Sequence, residues 1–538
     1  LSNNSRSFWD EVKKVSNNNI STQATVIGGA SGSNNICNMW RDHYKSLLNS
    51  SKDVSKKDSV RNLLECNDNY EYVPFMPLDI KDAMKNLKKG KAAGMDTLNS
   101  EHFIYAADSL YVLLCILFNS MMYHGHVPCK LMETMIVSLI KDKKGDVTDC
   151  NNYRPIALTC AASKIFEMLI LCKYSGYLKT GDRQFGFKNS HSTDLCVFVL
   201  KEVISYYVSL SSPVYACFID ASKAFDRVNH WLLFDKLLKR GVPKIVVRIL
   251  MSWYTTQTFT VKWENIIYIP FHVLNGVCQG GVLSPILFNL FIEDLSDKLS
   301  SLKLGCYMND MCCNHLNYAD DCVLLAPSQH ALQTLLDECN SFANRNDMIY
   351  NCKKSFCMSF YPKEFKNFVN PTMYLGDTIL TWITDHKYLG VILSDDCKDE
   401  LDIQRHIKSS YARGNMIIRK FKMCSIPVKI QMFKTYFSSV YAGHLWRNFS
   451  LACYKKAKVA YNNIYRLFLN LNRDCSMSRN YVEHNVHNFD SLLRTYMSGF
   501  IERLSQSKNK IVNTIYESVY FMYESRMFKR WIDEAYAL

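Results

Sequence analysis

The sequence of 538 residues contains 21 cysteines but no Cys-x-x-Cys pair. It therefore lacks the paired spacing that zinc ribbons and redox motifs use. Most of the cysteines lie inside apolar runs instead. We therefore expect them to be small, buried hydrophobic side chains of a protein in a reducing compartment.

Long hydrophobic runs are also missing. The longest apolar stretch, Leu110 to Met122, contains Asn119 and Ser120 and is too short to span a bilayer. The opening residues, Leu1-Ser-Asn-Asn-Ser-Arg, have no apolar core of the kind that a signal peptide needs. We therefore expect an intracellular protein that is not secreted and has no membrane partner. Because position 1 is not Met, we also expect a piece of a longer open reading frame.

Acidic residues are scarce near the C-terminus. The whole chain has 64 basic and 50 acidic residues, whereas residues 401–538 hold 22 basic and 9 acidic ones, a net charge of +13. Aromatic residues lie among the basic ones, as in Tyr454-Lys455-Lys456, Tyr465-Arg466 and Phe528-Lys529-Arg530-Trp531. Such a surface can follow a phosphate backbone while bases or sugars lie on the rings, so we expect it to bind nucleic acid. Solvated helix faces are the alternative.

Three aspartates follow two apolar segments that are far apart in the sequence. Asp220 ends Val-Tyr-Ala-Cys-Phe-Ile (214–219), and Asp320 and Asp321 lie in Leu-Asn-Tyr-Ala-Asp-Asp-Cys-Val-Leu-Leu-Ala (316–326). Both contexts predict buried strands, and a carboxylate at such a strand end is costly unless it is paired or binds a cation. If the strands are neighbours, the three carboxylates meet, and their oxygen ligands suit Mg²⁺. Two such ions could clamp the attacking and leaving oxygens of a phosphoryl transfer.

An isolated Asp-Asp after a strand is more often a turn or a helix cap. Further motifs, in order along roughly residues 80 to 395, favour the catalytic interpretation. They are Leu-Lys-Lys-Gly-Lys-Ala-Ala-Gly-Met-Asp (87–96), Ile-Lys-Asp-Lys-Lys-Gly-Asp (140–146), Asn-Tyr-Arg-Pro-Ile-Ala-Leu-Thr (152–159), Gln-Phe-Gly-Phe-Lys-Asn-Ser-His-Ser-Thr (184–193), Gly-Val-Cys-Gln-Gly-Gly-Val-Leu-Ser-Pro-Ile-Leu-Phe-Asn (276–289), Asn-Cys-Lys-Lys-Ser (351–355) and His-Lys-Tyr-Leu-Gly-Val (386–391). With these motifs the sequence resembles the reverse transcriptases of non-LTR (LINE-type) retrotransposons.

The resemblance implies an α+β fold, the right-hand polymerase with fingers, palm and thumb. The palm would be an antiparallel sheet backed by helices, and the thumb would be helical. The predicted domains are an N-terminal extension (1–75), fingers (76–205), a palm with the catalytic aspartates (206–395), and a basic helical thumb with the C-terminal region (396–538).

Periodicity adds local expectations. Residues 76–205 are predicted to be mostly helical, broken by the basic loop 141–146 and by Pro155. Strands and helices should alternate in the predicted palm, and the predicted thumb should be a helical bundle. In the predicted N-terminal extension, two amphipathic helices, Phe8–Val15 and Ile36–Leu48, flank a glycine-rich linker.

The metal-binding residues are assigned from the resemblance. We expect Asp220 and Asp320 to be the principal ligands, with Asp321 beside them and the carbonyl of Ala221 as a further oxygen ligand. Neighbours on a strand point to opposite faces, so Asp320 and Asp321 act equivalently only if the turn kinks there. Asp320 is the favoured ligand of that pair.

The basic loop is expected to meet the triphosphate. Arg154 can bind phosphate with two parallel hydrogen bonds, and Lys141 offers a point charge. A structural ion pair is the alternative for Arg154, and Lys143 and Lys144 compete with Lys141.

Three further residues are assigned by the same resemblance. Phe225 stands five residues after Asp220, where an aromatic ring would exclude a ribose 2′-hydroxyl; a core side chain is the alternative. Gln279 resembles the residue that lies against the nascent base pair. Lys354 resembles the lysine proposed to protonate the leaving pyrophosphate, with Lys353 as the competing match.

The sequence therefore predicts an RNA-directed DNA polymerase that adds dNTPs to a primer 3′ end with two Mg²⁺ ions, for which Mn²⁺ can substitute. The implied partners are an RNA template and a DNA primer or target DNA, which places the protein in the nucleus and in a cytoplasmic ribonucleoprotein. Two alternatives remain open: a non-catalytic RNA-binding remnant of a retrotransposon, and a reverse transcriptase similar to group II intron maturases.

Overall fold

The computed structural model of the chain describes residues 24–51, 54–65, 72–362 and 369–536. The predicted helix Phe8–Val15 lies outside these residues. The predicted helix Ile36–Leu48 is present as Ser33–Leu47. The glycine-rich segment before it forms a short β-hairpin rather than an open linker, because Gly28 and Gly29 adopt positive φ angles between its two strands.

The strands, in chain order, are β1 Val26–Ile27, β2 Ala30–Ser31, β3 Glu133–Ile140, β4 Tyr153–Leu158, β5 Val214–Asp220, β6 Thr258–Trp263, β7 Ile266–Ile267, β8 Phe271–His272, β9 Tyr307–Met308, β10 Met311–Cys312, β11 His315–Tyr318, β12 Asp321–Ala326, β13 Phe356–Phe360, β14 Tyr374–Leu375, β15 Thr378–Ile379, β16 Thr381–Trp382, β17 Asp385–Tyr388 and β18 Val391–Ser394. The α-helices are Ser33–Leu47, Lys57–Glu65, Pro77–Lys85, Ser100–Ile104, Ser109–His124, Cys129–Met132, Ala161–Lys173, Thr193–Ser209, His230–Lys239, Lys244–Thr256, Ser284–Ser301, Gln329–Arg345, Glu400–Phe421, Ile426–Phe437, Leu451–Leu469, Met477–Glu483, Phe489–Ser505, Lys510–Tyr516, Val519–Tyr523 and Arg526–Tyr536.

The central sheet has the strand order β11-β12-β5-β13-β16. All its pairs are antiparallel except β13 with β16, which is parallel. Alternate residues of β5 enter two different cores, one on each face of the sheet. Helix Gln329–Arg345 covers the first face and helix Thr193–Ser209 covers the second. The predicted alternation of strands and helices between residues 206 and 395 is confirmed.

A second sheet has the order β4-β3-β6-β7, with β8 also pairing with β6. Its strands β3 and β4 show that the expectation of mostly helical structure in residues 76–205 was wrong for these segments. Pro155, which was expected only to break a helix, lies in strand β4 at the edge of this sheet. An edge strand tolerates proline because its outer side has no neighbouring strand that needs the missing N–H as a hydrogen-bond donor. β3 pairs in parallel with β6, more than a hundred residues later, a partner that no local pattern reveals.

The C-terminal region is helical in its described part, as periodicity predicted. Helices Glu400–Phe421, Ile426–Phe437 and Leu451–Leu469 share one core. Later helices pack instead against helix Thr193–Ser209 of the central sheet. A buried ion pair between Arg447 Nη1 and Glu202 Oε1, 2.7 Å long, joins the two regions. Along the described chain, no helix is both long and apolar enough to cross a bilayer.

Candidate active site

Asp220 ends strand β5, Asp321 begins strand β12, and these two strands are neighbours, as the sequence predicted. β5 and β12 are antiparallel, with Asp321 directly opposite Asp220. Residues opposite each other in an antiparallel pair project from the same face, so these two carboxylates share one face of the sheet at one end of its strands. The backbone of Asp220 is fixed by hydrogen bonds to Ser355 Oγ (3.1 Å) and from Asn351 N (2.8 Å).

Asp320 lies in the two-residue turn between β11 and β12, whereas Asp321 is the first residue of β12. Ala319 adopts a left-handed φ of 58° at this turn. Its N–H donates to Oε1 of the buried Gln184 over 2.9 Å. A Cβ at Gly186 would lie 2.3 Å from the same nitrogen, so only glycine allows this close approach.

The carboxylates repel one another. Asp320 and Asp321 are exposed at the strand end, yet surrounding protein still removes part of their hydration. This desolvation, together with the negative charges of the neighbouring aspartates, raises the pKa of Asp321 to about 6 and also raises the pKa of Asp320. Lys141 opposes the shift at both residues, and Arg154 opposes it at Asp320. A bound cation would relieve the same repulsion.

A cleft of about 830 Å³ opens at this strand end. It brings together all but one of the residues that the sequence assigned to the site. These lining residues are Asp220, Ala221, Asp320, Lys141, Arg154, Phe225, Gln279 and Lys354. Asp321 is the exception: it is not among the lining residues, and its charge raises the pKa of Cys196 and of Tyr388.

The cleft also discriminates between competing assignments. Lys141 and Lys354 line it, whereas their sequence competitors Lys143, Lys144 and Lys353 lie outside its lining. Arg154 is exposed at the cleft and takes part in no ion pair among the described residues. These placements favour Lys141, Arg154 and Lys354, and their roles stay predictions.

Phe225 packs against the core and also reaches the cleft, so its predicted role in sugar selection stays a prediction. Its half-buried ring stacks on Phe288, with centroids 4.6 Å apart and planes 16° apart, and meets Phe187 edge-on at 6.0 Å. The ring therefore packs against the core and also lines the cleft. The stacking on Phe288 orients the ring that Phe225 presents at the cleft.

Several residues of the cleft were not found from the sequence. His43 and Tyr44 come from helix Ser33–Leu47, which packs on the second sheet, and Tyr44 hydrogen-bonds Ser138 at 2.8 Å. Lys223 has a left-handed φ of 51°, and burial lowers the pKa of its amine. The Asn/Ser-rich composition around the helix gave no signal, although the amphipathic helix itself was predicted.

The donor atoms at the strand end are of the type that binds a divalent metal, but the described side chains are not arranged as a metal site. The strand end offers carboxylate oxygens and the Ala221 carbonyl, which hard cations prefer. Over the ranges that the structure describes, however, no three His, Cys, Asp or Glu side chains are grouped to hold an ion. The metal-ligand assignment therefore stays a prediction.

The middle of the chain matches a known protein family. Residues 140–393 match the family described as reverse transcriptase (RNA-dependent DNA polymerase), and this segment contains Asp220, Asp320 and Asp321. The chain resembles the reverse transcriptases of non-LTR retrotransposons. Enzymes of this family use divalent metal ions, in agreement with the oxygen donors at the strand end.

Three curated proteins that resemble the chain come from insects. A probable RNA-directed DNA polymerase from transposon X-element of Drosophila melanogaster is 24% identical over 471 residues, covering 83% of this chain and 49% of its own length. The RNA-directed DNA polymerase from mobile element jockey of Drosophila funebris is 26% identical, covering 66% of this chain and 39% of its own. The R2 polyprotein of Nasonia vitripennis is 26% identical, covering 56% and 30%. The chain thus spans half or less of these relatives.

A solved structure of apo telomerase from Candida tropicalis, truncated from its C-terminal domain, aligns with 57% of this chain and 62% of its own. The sequence identity is 13% and the TM-score is 0.35. No conclusion about this chain rests on that likeness.

Proposed function

We propose that this chain is the RNA-directed DNA polymerase of a non-LTR retrotransposon, which adds dNTPs to a primer 3′ end on an RNA template. One observation carries the proposal. Residues assigned from separate sequence motifs, between Lys141 and Lys354, line a single cleft. Acidic and basic side chains meet there as phosphoryl transfer requires, since positioning and charge neutralisation supply most of its catalysis.

The right-hand arrangement is part of this proposal. The central sheet with its aspartates would be the palm, residues 76–205 with the second sheet would be the fingers, and residues 396–538 would be the thumb. Support comes from the position of the cleft, which has acidic strand ends on one side and the basic β3–β4 hairpin on the other. The RNA template, the DNA primer and the dNTP would meet in this cleft.

The reaction needs one bond to form and one to break. The primer 3′ oxygen attacks the α-phosphorus, its proton passes to water, and the bond from the α-phosphorus to the bridging oxygen breaks to release pyrophosphate. Lys141 and Arg154 would hold the triphosphate, and Lys354 would donate a proton to the leaving pyrophosphate. Two Mg²⁺ ions, held by Asp220, Asp320, the Ala221 carbonyl and Asp321, would neutralise the attacking and leaving oxygens when bound.

Primer extension tests the proposal. Purified protein should extend a DNA primer on an RNA template with all four dNTPs and Mg²⁺, and chelation of the metal should stop extension. Mn²⁺ should restore activity. Failure to extend any primer, with RNA binding intact, would favour the non-catalytic remnant instead.

A further inference from the structure

A carboxyl group on the cleft floor has no place in the proposed reaction. Asp226 lies in the short 3₁₀-helix Ala224–Arg227 and is 4% exposed, although it lines the cleft. Its Oδ1 accepts a hydrogen bond from Nε2 of Gln279 over 2.8 Å. Its backbone carbonyl accepts another from the buried Asn275 amide over 2.7 Å.

The backbone around Gln279 is fixed on two sides. Val277 N–H donates to the Phe225 carbonyl over 2.8 Å, and Ala157 N–H donates to the Gln279 carbonyl over 2.8 Å. Gly280 approaches β4 so closely that a Cβ would lie 2.7 Å from the Ala157 oxygen. With the main chain held, the remaining freedom of Gln279 is largely the orientation of its side-chain amide.

That amide has a donor end and an acceptor end. An ionised carboxylate only accepts hydrogen bonds, so it selects the orientation in which Nε2 faces Asp226. The opposite end, Oε1, is then the one presented away from Asp226. We propose that Asp226 is a positioning residue that makes Gln279 present an acceptor to the incoming nucleotide. This role rests on the proposed polymerase function, and the ligand class is a nucleoside triphosphate with a hydroxyl or amino donor.

The proton on Asp226 makes the orientation dependent on pH. Burial raises the pKa of this carboxyl to about 7, against the smaller opposing effects of the Gln279 hydrogen bond, Lys223 and Arg227. The other titratable groups that interact with it are Tyr44 from helix Ser33–Leu47 and Cys278 from the loop. A protonated carboxyl can donate to Oε1 as well as accept from Nε2, so both amide orientations become compatible below pH 7. Nucleotide binding should therefore weaken as the pH falls through this value.

Calorimetric titration with dTTP tests the proposal. The complete protein is loaded with an RNA template and a primer that lacks its 3′-hydroxyl, and Kd is measured from pH 6 to 8.5. In the unaltered protein Kd should rise about two- to tenfold toward low pH, the effect of one neutral hydrogen bond. In Asp226→Asn, Kd should have the high value that the unaltered protein reaches at low pH. It should keep that value from pH 6 to 8.5. Glu293→Gln is the matched control, because it removes another buried carboxyl of raised pKa, one that accepts from Gly181 N (2.6 Å) outside the cleft lining.

Gln279→Met provides a second, independent variant. It keeps the length of the side chain at a half-buried position and removes the amide, so the pH dependence should disappear even though Asp226 remains. Titration of the triphosphate itself is common to all the proteins and cancels in the comparison. A profile in Asp226→Asn that matches the unaltered protein, or one that persists in Gln279→Met, overturns the proposal.

The same proteins are assayed with an extendable primer. Extension without any dependence of Kd on Asp226 would overturn the positioning role and leave the polymerase function standing. If the Kd profiles are as expected but no protein extends the primer, the polymerase function is overturned and the positioning role of Asp226 in nucleotide binding stands. Absence of dTTP binding in every protein would overturn both.

Discussion

The two large sheets carry opposite charges to the same cleft. The central sheet brings Asp220 and Asp320 to the cleft, with Asp321 beside them, whereas the β3–β4 hairpin of the second sheet brings Lys141 and Arg154. Charge on the second sheet lowers the cost of ionising the aspartates of the first, since both cations oppose the raised pKa of Asp320. The site therefore belongs to neither sheet alone, and changes on the two sheets should have different kinetic consequences.

The largest expected effect lies on the central sheet. Asp220→Asn or Asp320→Asn keeps the shape and removes one charge, so primer extension should fall by at least about 10²–10³-fold, the loss that follows removal of one charge-stabilising group. Template binding should be nearly unchanged. Asp310→Asn, at an exposed aspartate in the β9–β10 turn, is the control and should retain full extension. Substantial synthesis by the Asp220 variant would remove that aspartate from the reaction.

Sugar selection should depend on Phe225, whose ring lines the cleft. Phe225→Val opens space beside Phe288 and should raise ribonucleotide use relative to deoxynucleotide use by roughly 10–200-fold, as for small steric differences in a pocket. The measurement is the ratio of kcat/KM for the two sugars. Phe225→Tyr keeps the bulk and should keep the discrimination. An unaltered ratio in Phe225→Val would identify Phe225 as a core residue only.

On the second sheet the expected effect is on substrate affinity. Arg154→Ala should raise KM for the dNTP roughly tenfold or more, the worth of a charge-assisted hydrogen bond, with a smaller change in kcat. Arg154→Lys should be intermediate because a point charge replaces a planar fork. Lys143→Ala, in the same hairpin but outside the cleft lining, serves as the control. Equal losses from Arg154→Ala and Lys143→Ala would show that the loop acts only through its net charge.

The smallest expected effect concerns the basic C-terminal helices. Lys455→Gln with Lys456→Gln removes two exposed charges of helix Leu451–Leu469. For each phosphate that is no longer neutralised, the slope of log affinity against log salt should become shallower by about 0.9 on a duplex. Lys298→Gln, an exposed lysine of the central region, should leave the slope unchanged. Point changes are better than truncation here, because deletion would expose the buried partner of Arg447.

Much of the central sheet could be predicted because its signals are local. A run of apolar residues ending in aspartate marks β5, and the Ala-Asp-Asp motif marks the β11–β12 turn. The second sheet could not be predicted, since Pro155 suggests a break and the partner of β3 is β6, far along the chain. Which lysine faces the cleft also depends on the fold of that hairpin.

The sequence interpretation of the C-terminal aromatic residues was wrong for two of them, Tyr465 and Trp531. Aromatic residues among the basic ones were expected to meet bases, but Tyr465 is 0% exposed and Trp531 is 4% exposed. Neighbours on a helix point in different directions, so these two rings enter the core, whereas Lys529 on the helix of Trp531 is exposed. Lys455 and Lys456 are exposed, so binding of a phosphate backbone by the basic residues of this region stays a prediction. The salt titration described above tests it.

The wide spacing of the cleft residues has a consequence for synthesis of the chain. The lining begins at His43 and ends at Lys354, so a ribosome must complete the whole stretch between these two residues before the cleft can exist. Pairing of distant strands such as β3 and β6 is slow to form because a long loop must close first. Because Lys141 and Arg154 precede Asp220 and Asp320 in the chain, a growing chain contains the basic hairpin before it contains the acidic strand ends, and the complete cleft is a late product of folding.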